Sequence, residues 1–521
     1  MKNYYSFWFA AFVIACGVDF LFWGKPIGVS FPLWVLLVMS SAIYLAWKTK
    51  MRPARENLFL GVAGFGLALL PLLRAEPFTQ VVAVLLTLLV LMLWAATLRT
   101  GHWLRYNLWD YIRTVAVLIF EAVTNPFRQQ TFSQPHSQES QKSLPRQGWA
   151  VLRGILLSLP VLGVLVILLA SADLVFAERL QTVFGALRLD KFPETLFRLF
   201  YVCVLTVIFC GVLLHTFFPV YPVQPTREKR LFPPFLGWTE SSIVLSSVIL
   251  LFVFFVILQF QYLFGGQANI HEAGFTYAEY ARRGFGELVW VALISLMLIL
   301  SLHAVCRCDT SSYQRGFIFL SSLLIILVSV ILASAMQRLI LYEQAYGFTR
   351  LRTYTHIFIP WLGGLFLAVL GLLITNRMHQ LAPVLFILVI GFGLCVGFWN
   401  IDGWIARQNV QRVLAGEDLD GEYLQILSAD AVPELIRLVQ EKGLPESAKE
   451  ELLIGLACRA SQSAVSVPAW QSFNLSEARA QKLLSSHAYL WKNYPIQQDS
   501  DGRYVLQNGS PRYCREVRGV N

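Results

Sequence analysis

Long apolar runs dominate about the first 400 residues of the chain, and polar residues collect between them. Four of these runs, 78–98, 241–262, 316–337 and 353–376, contain no Asp, Glu, Lys or Arg. A helix of about 20 mostly apolar residues crosses the hydrocarbon core of a bilayer. The pattern therefore predicts eleven spans, at about 5–23, 29–47, 57–73, 78–98, 151–172, 196–218, 241–263, 286–306, 316–337, 354–375 and 380–400.

Charged residues are scarce in this part of the chain. Hydrophobic residues make up 56% of the 521 positions and charged residues 14%, whereas a soluble domain carries roughly a quarter charged residues. The last 120 residues, in contrast, have an ordinary composition. We therefore predict an all-α fold in two parts: a polytopic transmembrane bundle of about 11 spans over 1–400, and a small helical extramembrane domain over 401–521.

Capping signals divide the terminal domain into helices. Asp402 is expected to cap a helix that runs to about residue 415. Asp430 is expected to cap a second helix in the same way. Pro433 lies in the first turn of that helix, where proline is tolerated. The tail from residue 493 onward, with its proline and glycines, is expected to be a loop or a short strand.

Basic residues indicate the orientation of the bundle. With eleven spans counted from the N-terminus, the densest clusters, 48–55 and the long connection 99–150, fall on one side. Since cytoplasmic loops carry an excess of Lys and Arg, we predict a cytoplasmic N-terminus and an extracytoplasmic terminal domain in a bacterial inner membrane. The same bias explains the net charge of +10. The expected partner is thus the lipid bilayer, and nucleic acid is not expected.

The connection 99–150 and the outer loops differ in character. Within the connection, residues 103–120 form an amphipathic stretch that favours a helix at the membrane surface. Three outer connections are instead rich in ionisable and aromatic residues, and in the second of them Glu279, Arg283 and Glu287 are spaced to form a ladder on one helix face. The ionisable residues of the three connections are Asp173, Glu178, Glu279, Arg282, Arg283, Glu287, Arg338, Glu343, Arg350 and Arg352.

Arg350 and Arg352 are placed unfavourably, in the first turn of the predicted tenth span. The helix dipole disfavours cations at this end, and the positive-inside rule disfavours them on this side. One interpretation is a salt-bridge cluster that closes the outer rim, with Glu178 and Glu343 as partners. The alternative is a site for an anionic lipid, another anionic ligand or a protein partner. A sealed cluster would favour the structural interpretation, and an open cavity would favour transport or lipid binding.

Cysteines and short motifs add little chemistry. Cys458 and Cys514 are the two cysteines of the terminal domain, and an oxidising compartment would permit a disulfide between them. Cys306 and Cys308 form an isolated CxC, which is a weak metal signal. No phosphate-binding loop, dinucleotide fingerprint or catalytic motif is present. We therefore predict no catalytic residue, no metal site and no cofactor.

Several long motifs are similar to those of a known group of proteins. They are LASADLVFA, the stretch 254–266, TYAEYARRGFGEL, RLILYEQAYGFTRLR and NIDGWIARQNVQRVLAGEDLDGEYLQILSADAVPEL. Over about residues 153–439 the chain resembles bacterial polytopic membrane proteins of the domain-of-unknown-function 4153 and 4173 types. The resemblance implies a membrane location and an unassigned biochemical role, and it transfers no catalytic residue.

These patterns leave three functional hypotheses. The leading one is a non-enzymatic accessory or sensing component of the cell envelope, because the motif-bearing loops and the terminal domain are all predicted to face outward. The second is a transporter of a small solute or lipid, which paired acidic residues at mid-membrane would favour. The third is an intramembrane enzyme.

Overall fold

The fold is described from a computed structural model, which is nearly all helical. It describes residues 4–132, 169, 172–173, 175–176, 179, 192–225, 235–263, 285–307, 310–463, 469–499, 502–507 and 510–514. The first twelve helices are α1 (Tyr4–Phe22), α2 (Ser30–Lys48), α3 (Asn57–Ala68), α4 (Leu70–Leu73), α5 (Pro77–Thr97), α6 (Leu108–Phe132), α7 (Phe192–Phe217), α8 (Trp238–Leu263), α9 (Phe285–Val305), α10 (Ser311–Tyr346), α11 (Arg350–Ile374) and α12 (Leu381–Phe398).

Among these described residues, nine helices are long and apolar enough to cross a membrane: α1, α2, α5 and α7 to α12. Nine of the eleven predicted spans correspond to them. The predicted span at 57–73 is a shorter apolar segment divided between α3 and α4. The predicted span at 151–172 falls almost wholly outside the described residues. A polytopic helical bundle is therefore confirmed.

Two rims of the bundle can be distinguished by what meets there. We call residues 401–514 the terminal region. The ends of α1, α4, α10 and α12 contact it at one rim of the bundle, which we call the junction rim. Here the Val29 N–H donates to the Phe473 carbonyl (2.9 Å), and Arg74 Nε donates to the Gly397 carbonyl (3.0 Å). At the opposite rim, the loop after α2 meets the end of α5. The first two spans and the α4–α5 turn are thus held directly against later parts of the chain.

Helix α6 contains most of the predicted amphipathic stretch and packs against the end of α7. A Cβ atom at Gly211 would lie only 1.9 Å from the Ala122 carbonyl oxygen, so the close approach of these two helices requires glycine. Next to it, the fully buried Glu121 carboxylate lies 2.8 Å from His215 Nδ1 and accepts the Tyr221 N–H (2.7 Å). The helix begins later and ends later than the predicted 103–120. A short 3₁₀ turn at His102–Arg105 precedes it.

The terminal region is helical with a small sheet at its end. Its helices are α13 (Ile401–Leu414), α14 (Gly421–Gln425), α15 (Val432–Val439), α16 (Glu446–Ser463) and α17 (Leu475–Ser486). The tail forms an antiparallel sheet of β1 (Ile496–Gln498), β2 (Arg503–Gln507) and β3 (Ser510–Tyr513) in the order β1-β2-β3. Fully buried Val505 of β2 packs against Ile454 and Cys458 of α16.

The core of the terminal region continues into the bundle. Ile357 of α11 and Val396 of α12 belong to the same hydrophobic cluster as Ile405 and Leu435. Apolar side chains of two spans are therefore buried by the terminal region, which rests on the bundle through an apolar contact as well as through polar ones.

Opening the Cys458–Cys514 bond is expected to destabilise the terminal region. The two cysteines form a disulfide with their Cα atoms 5.4 Å apart, across a sequence separation of 56. Closing a loop of that length stabilises a fold by about 4 kcal/mol in the chain-entropy treatment. Replacing both cysteines by serine should therefore lower the unfolding temperature of the purified protein.

Maleimide labelling of the denatured protein checks the bond itself. Before reduction, the wild-type protein and the double serine variant should take up the same number of labels. After reduction, the wild-type protein should take up additional labels at Cys458 and Cys514. A wild-type count that does not change on reduction would contradict the disulfide.

Candidate functional site

A two-point ion pair at the junction rim joins Arg350 to Asp402. Arg350 is the first residue of α11, and its Nε and Nη2 donate to the two carboxylate oxygens of Asp402 at 2.9 and 2.6 Å. Asp402 lies in the first turn of α13 and is 0% exposed. Two parallel, charge-assisted hydrogen bonds of this kind fix orientation as well as distance. The pair therefore ties the start of a span to the start of the terminal region.

Arg350 also binds groups from two other segments. Its Nη2 donates to the Ile426 carbonyl (3.2 Å), and its backbone N–H donates to the Tyr423 hydroxyl (2.7 Å). A second carboxylate, Glu76 Oε1, lies 3.8 Å from Arg350 Nε. Glu76 in turn caps α5 by accepting the Thr79 N–H at 2.6 Å. One guanidinium thus connects α5, α11, α13 and the loop after α14.

Asp430 makes the corresponding contact with the α4–α5 turn. Its Oδ2 accepts the backbone N–H groups of Ala75 (2.8 Å) and Glu76 (3.0 Å), and its Oδ1 lies 3.6 Å from Arg74 Nη1. A little further along the chain, Asn474 Nδ2 donates to the carbonyls of Pro71 and Arg74, both at 2.8 Å. We call this set the junction cluster. Its members are Arg74, Glu76, Arg350, Asp402, Asp430 and Asn474.

Neither Asp402 nor Asp430 caps its own helix, so both capping predictions are wrong. Asn400 is the N-cap of α13, because its side-chain oxygen accepts the Gly403 N–H (2.9 Å). Its Nδ2 donates to the Asp430 carbonyl (2.9 Å), which draws the two aspartates together. Ser428 caps a short 3₁₀ turn, Ala429–Ala431, that precedes the second helix, and its hydroxyl accepts the Asp430 N–H at 3.3 Å. Both carboxylates are thereby free to turn toward the bundle.

Arg459 supports the cluster from within the terminal region. Its guanidinium donates to the carbonyls of Ser428 (2.7 Å), Gln425 (3.0 Å) and Leu427. Burial lowers the pKa of Arg459 to about 10, against an opposing attraction from Asp402. The side chain is therefore still protonated at neutral pH. It holds the loop that presents its backbone to Arg350 and Asp402.

The turn between α10 and α11 explains the second badly placed cation. Gly347 ends α10 with φ +79°, a conformation that favours glycine. Arg352 Nη1 donates to the Tyr346 carbonyl (3.0 Å), and its guanidinium lies 4.1 Å from the Tyr342 ring centroid. Arg412 of α13 donates to the Gln344 carbonyl at 2.7 Å. Both cations thus bind the carbonyl end of α10, where the dipole favours them.

The remaining candidate residues do not join the junction cluster. Glu343, predicted as a partner of Arg350, is instead buried against His356 Nδ1 (3.0 Å) because it faces α11 one turn below the rim. Arg338 Nη2 donates to Gln259 Oε1 (3.0 Å) on α8. Asp173 and Glu287 are exposed, and Asp173 accepts N–H groups of its own turn. Outside the described residues lie Glu178, Glu279, Arg282 and Arg283, and with them two of the three residues of the predicted ladder.

A second ion pair lies near the end of α1 at the junction rim. Arg198 donates through Nε (2.9 Å) and Nη2 (2.6 Å) to Asp19, which also accepts the Tyr201 hydroxyl. The guanidinium lies 5.4 Å from the Trp23 ring centroid. Asp19 lies within a predicted span, and its partner Arg198 lies 179 positions away, so no local pattern indicates the pair.

The carboxylates of the junction cluster are buried, whereas the side chains of Arg74 and Arg350 are 22% and 25% exposed. Asp402, Asp430 and Glu76 are 0%, 2% and 4% exposed, and each accepts hydrogen bonds from fixed donors. Within the part of the chain that the structure describes, no group of three or more His, Cys, Asp or Glu side chains could hold a metal ion. An open groove of about 510 Å³ lies elsewhere, between apolar faces of α10 and α11. The arrangement is suited to joining segments.

These features define a multi-pass α-helical membrane protein whose terminal region is joined to the bundle by buried ion pairs. The chain belongs to the family described as Domain of unknown function (DUF4153), whose sequence model matches residues 61–438. No curated protein and no solved structure matches it. The family match includes Glu76, Arg350, Asp402 and Asp430, and it ends before Cys458 and Asn474.

Replacing Arg350 by alanine is expected to destabilise the whole protein strongly. The change leaves Asp402 buried without its counter-charge, and breaking a buried pair in this way costs about 3–5 kcal/mol. The matched control is Arg437→Ala, which removes an exposed contact to Glu434 and should cost less than about 1 kcal/mol. Thermal unfolding in detergent measures both.

A double variant separates the charge effect from the loss of packing. Arg350→Ala combined with Asp402→Ala removes both charges, so it should recover part of the stability lost in the single variant. If Arg350→Ala lowers the unfolding temperature no more than Arg437→Ala does, the pair is not a structural joint.

Proposed function

We propose that this protein is a non-enzymatic accessory or sensing component of a bacterial cell envelope, in which the membrane bundle holds the terminal region as a fixed interaction surface. The observation that carries the proposal is the Arg350–Asp402 pair, in which the carboxylate is fully buried and both of its oxygens accept hydrogen bonds from the guanidinium. A substrate site needs polar groups that a ligand can reach, whereas the guanidinium and the carboxylate of this pair bind each other. What remains accessible is the outer surface of the terminal region.

The proposed orientation rests on charge and redox chemistry. Basic residues of the rim opposite the junction are exposed, among them Arg52 and Arg55. Arginines of the junction rim, such as Arg74 and Arg350, instead bind carboxylates and carbonyls. This distribution of basic residues supports a cytoplasmic location for the rim opposite the junction. A disulfide in the terminal region supports an oxidising compartment on the other side, which for this protein would be outside the inner membrane.

A transporter is the second candidate, and one observation favours it. Gln259, Arg338 and Glu343 are buried between helices of the bundle, where ionisable residues suggest a functional role by default. They lie toward the junction rim, however, since Glu343 is only three residues from Tyr346, the last residue of α10. Transporter binding sites lie near the bilayer midplane, so the accessory role has the better support.

Labelling of single cysteines should reveal the orientation. Glu441 in the terminal region and Arg52 at the opposite rim are both exposed, and each is replaced by cysteine in a protein that keeps only the disulfide pair. In intact spheroplasts, a membrane-impermeant maleimide should label Glu441→Cys and should reach Arg52→Cys only after permeabilisation. The reverse pattern would place the terminal region in the cytoplasm and overturn the proposal.

Photocrosslinking should show whether the terminal region is the interaction surface. A crosslinking amino acid at Glu441 or Tyr489, which are exposed on the terminal region, is expected to give a discrete adduct with another envelope protein. The matched controls are Leu250 and Met297, which are equally exposed on spans and should give lipid adducts. Protein adducts from the spans alone, or none from the terminal region of a folded protein, would contradict the proposal.

A further inference from the structure

The segment before α17 has its polar side chains inside and its apolar side chains outside. Trp470, Phe473 and Leu475 are 55%, 44% and 50% exposed. The intervening Gln471, Ser472 and Asn474 are each no more than 5% exposed. A loop in water shows the opposite arrangement, because exposing apolar surface to water is unfavourable. We call residues 470–475 the interfacial loop.

The Asn474 side chain and the loop backbone hold this segment against the end of α4 and the start of α2. Asn474 binds the carbonyls at the end of α4, and its Oδ1 accepts the Glu477 N–H (3.0 Å), which caps α17. The Phe473 carbonyl accepts the Val29 N–H at the start of α2. At Gly28, an added Cβ would lie 2.6 Å from the Phe473 carbonyl oxygen, so the backbones touch there. The loop is thus fixed at the junction rim rather than above it.

Contacts with α1 set the depth of the loop relative to the membrane. The Trp470 ring lies 6.1 Å from the ring of Phe20, in the last turn of α1. Phe20 is itself 58% exposed. Lys25 extends over the same ring, with Nζ 5.2 Å from the centroid. Aromatic rings beside a lysine at the end of a spanning helix are typical of the boundary between hydrocarbon and headgroups.

We propose that the interfacial loop inserts Trp470, Phe473 and Leu475 into the lipid leaflet at the junction rim, with Lys25 facing the lipid phosphates. We infer that lipid rather than protein covers the loop, because the exposed side chains of the loop continue a row of exposed aromatic residues on α1. Phe9, Phe12 and Phe20 form this row and are all exposed on one side of that helix. Trp470 extends it by one ring. The terminal region is thereby a peripheral membrane domain as well as a docked one.

The loop has a matched counterpart for an experiment. Ala469 and Ala488 are both exposed, and each precedes an exposed aromatic residue, Trp470 or Tyr489. The two alanines lie on either side of α17. Fluorescent probes attached at Ala469→Cys and at Ala488→Cys therefore lie in similar local sequences. Neither substitution removes an aromatic side chain. The full-length protein, with its free cysteines replaced, is reconstituted into phosphatidylcholine–phosphatidylglycerol vesicles.

Two quenchers distinguish the environments of the probes. A nitroxide lipid labelled near the headgroup end of its acyl chain should quench the Ala469 probe at least about threefold more than the Ala488 probe. Iodide in the water should show the reverse preference. Equal quenching of both probes by iodide would overturn the proposal. An Ala469 probe shielded from both quenchers would also overturn it, because a protein would then cover the loop.

Serine substitutions identify the residues responsible. Replacing Trp470, Phe473 and Leu475 together by serine should lower lipid quenching of the Ala469 probe by at least about half. Tyr489→Ser is the control and should leave that quenching unchanged. Unaltered iodide quenching of the Ala488 probe shows that the terminal region is still folded. Undiminished lipid quenching in such a folded triple variant would show that these side chains do not anchor the loop.

Discussion

A carboxylate removed from water must have a fixed counter-charge, and the junction between bundle and terminal region is arranged around that requirement. Asp402 is fully buried, so its desolvation is offset only if the Arg350 guanidinium stays coplanar with it. This condition fixes the first turn of α11 against the first turn of α13. The loop held by Arg459 and the α5 cap formed by Glu76 complete the surroundings of the same guanidinium. Disturbing any of these segments would expose an uncompensated charge.

The helix dipoles account for cations that looked misplaced. Because α10 and α11 are antiparallel and joined by a tight turn, the carbonyl end of one lies beside the N–H end of the other. Arg352 belongs to the N-terminal turn of α11 but binds the carbonyls that α10 leaves free. The same side chain is unfavourable for one helix and favourable for its neighbour. Positive charge on this side of the bundle is therefore explained by local structure.

The sequence predicted those parts of the fold that depend on local signals. A spanning helix is a run of about 20 apolar residues, and such a run can be recognised directly in the sequence. The cysteine pair followed from there being two cysteines in the terminal region. The partners of Arg350 could not be found in this way. Asp402 was assigned the local role of a cap, which Asn400 fills instead, and no local signal connected Arg459 or Asn474 to their distant partners.

The hydrophobic cluster that joins Ile357 and Val396 to Ile405 and Leu435 also bears on how the molecule folds. Composition divides the chain near residue 400, but these side chains share one core across that division. The terminal region and the last two spans are then a single cooperative unit in which local opening is costly. Amide hydrogens of α13 should accordingly exchange as slowly as those of the spans beneath it. During biosynthesis, the terminal region would complete its core only after α11 and α12 had been inserted.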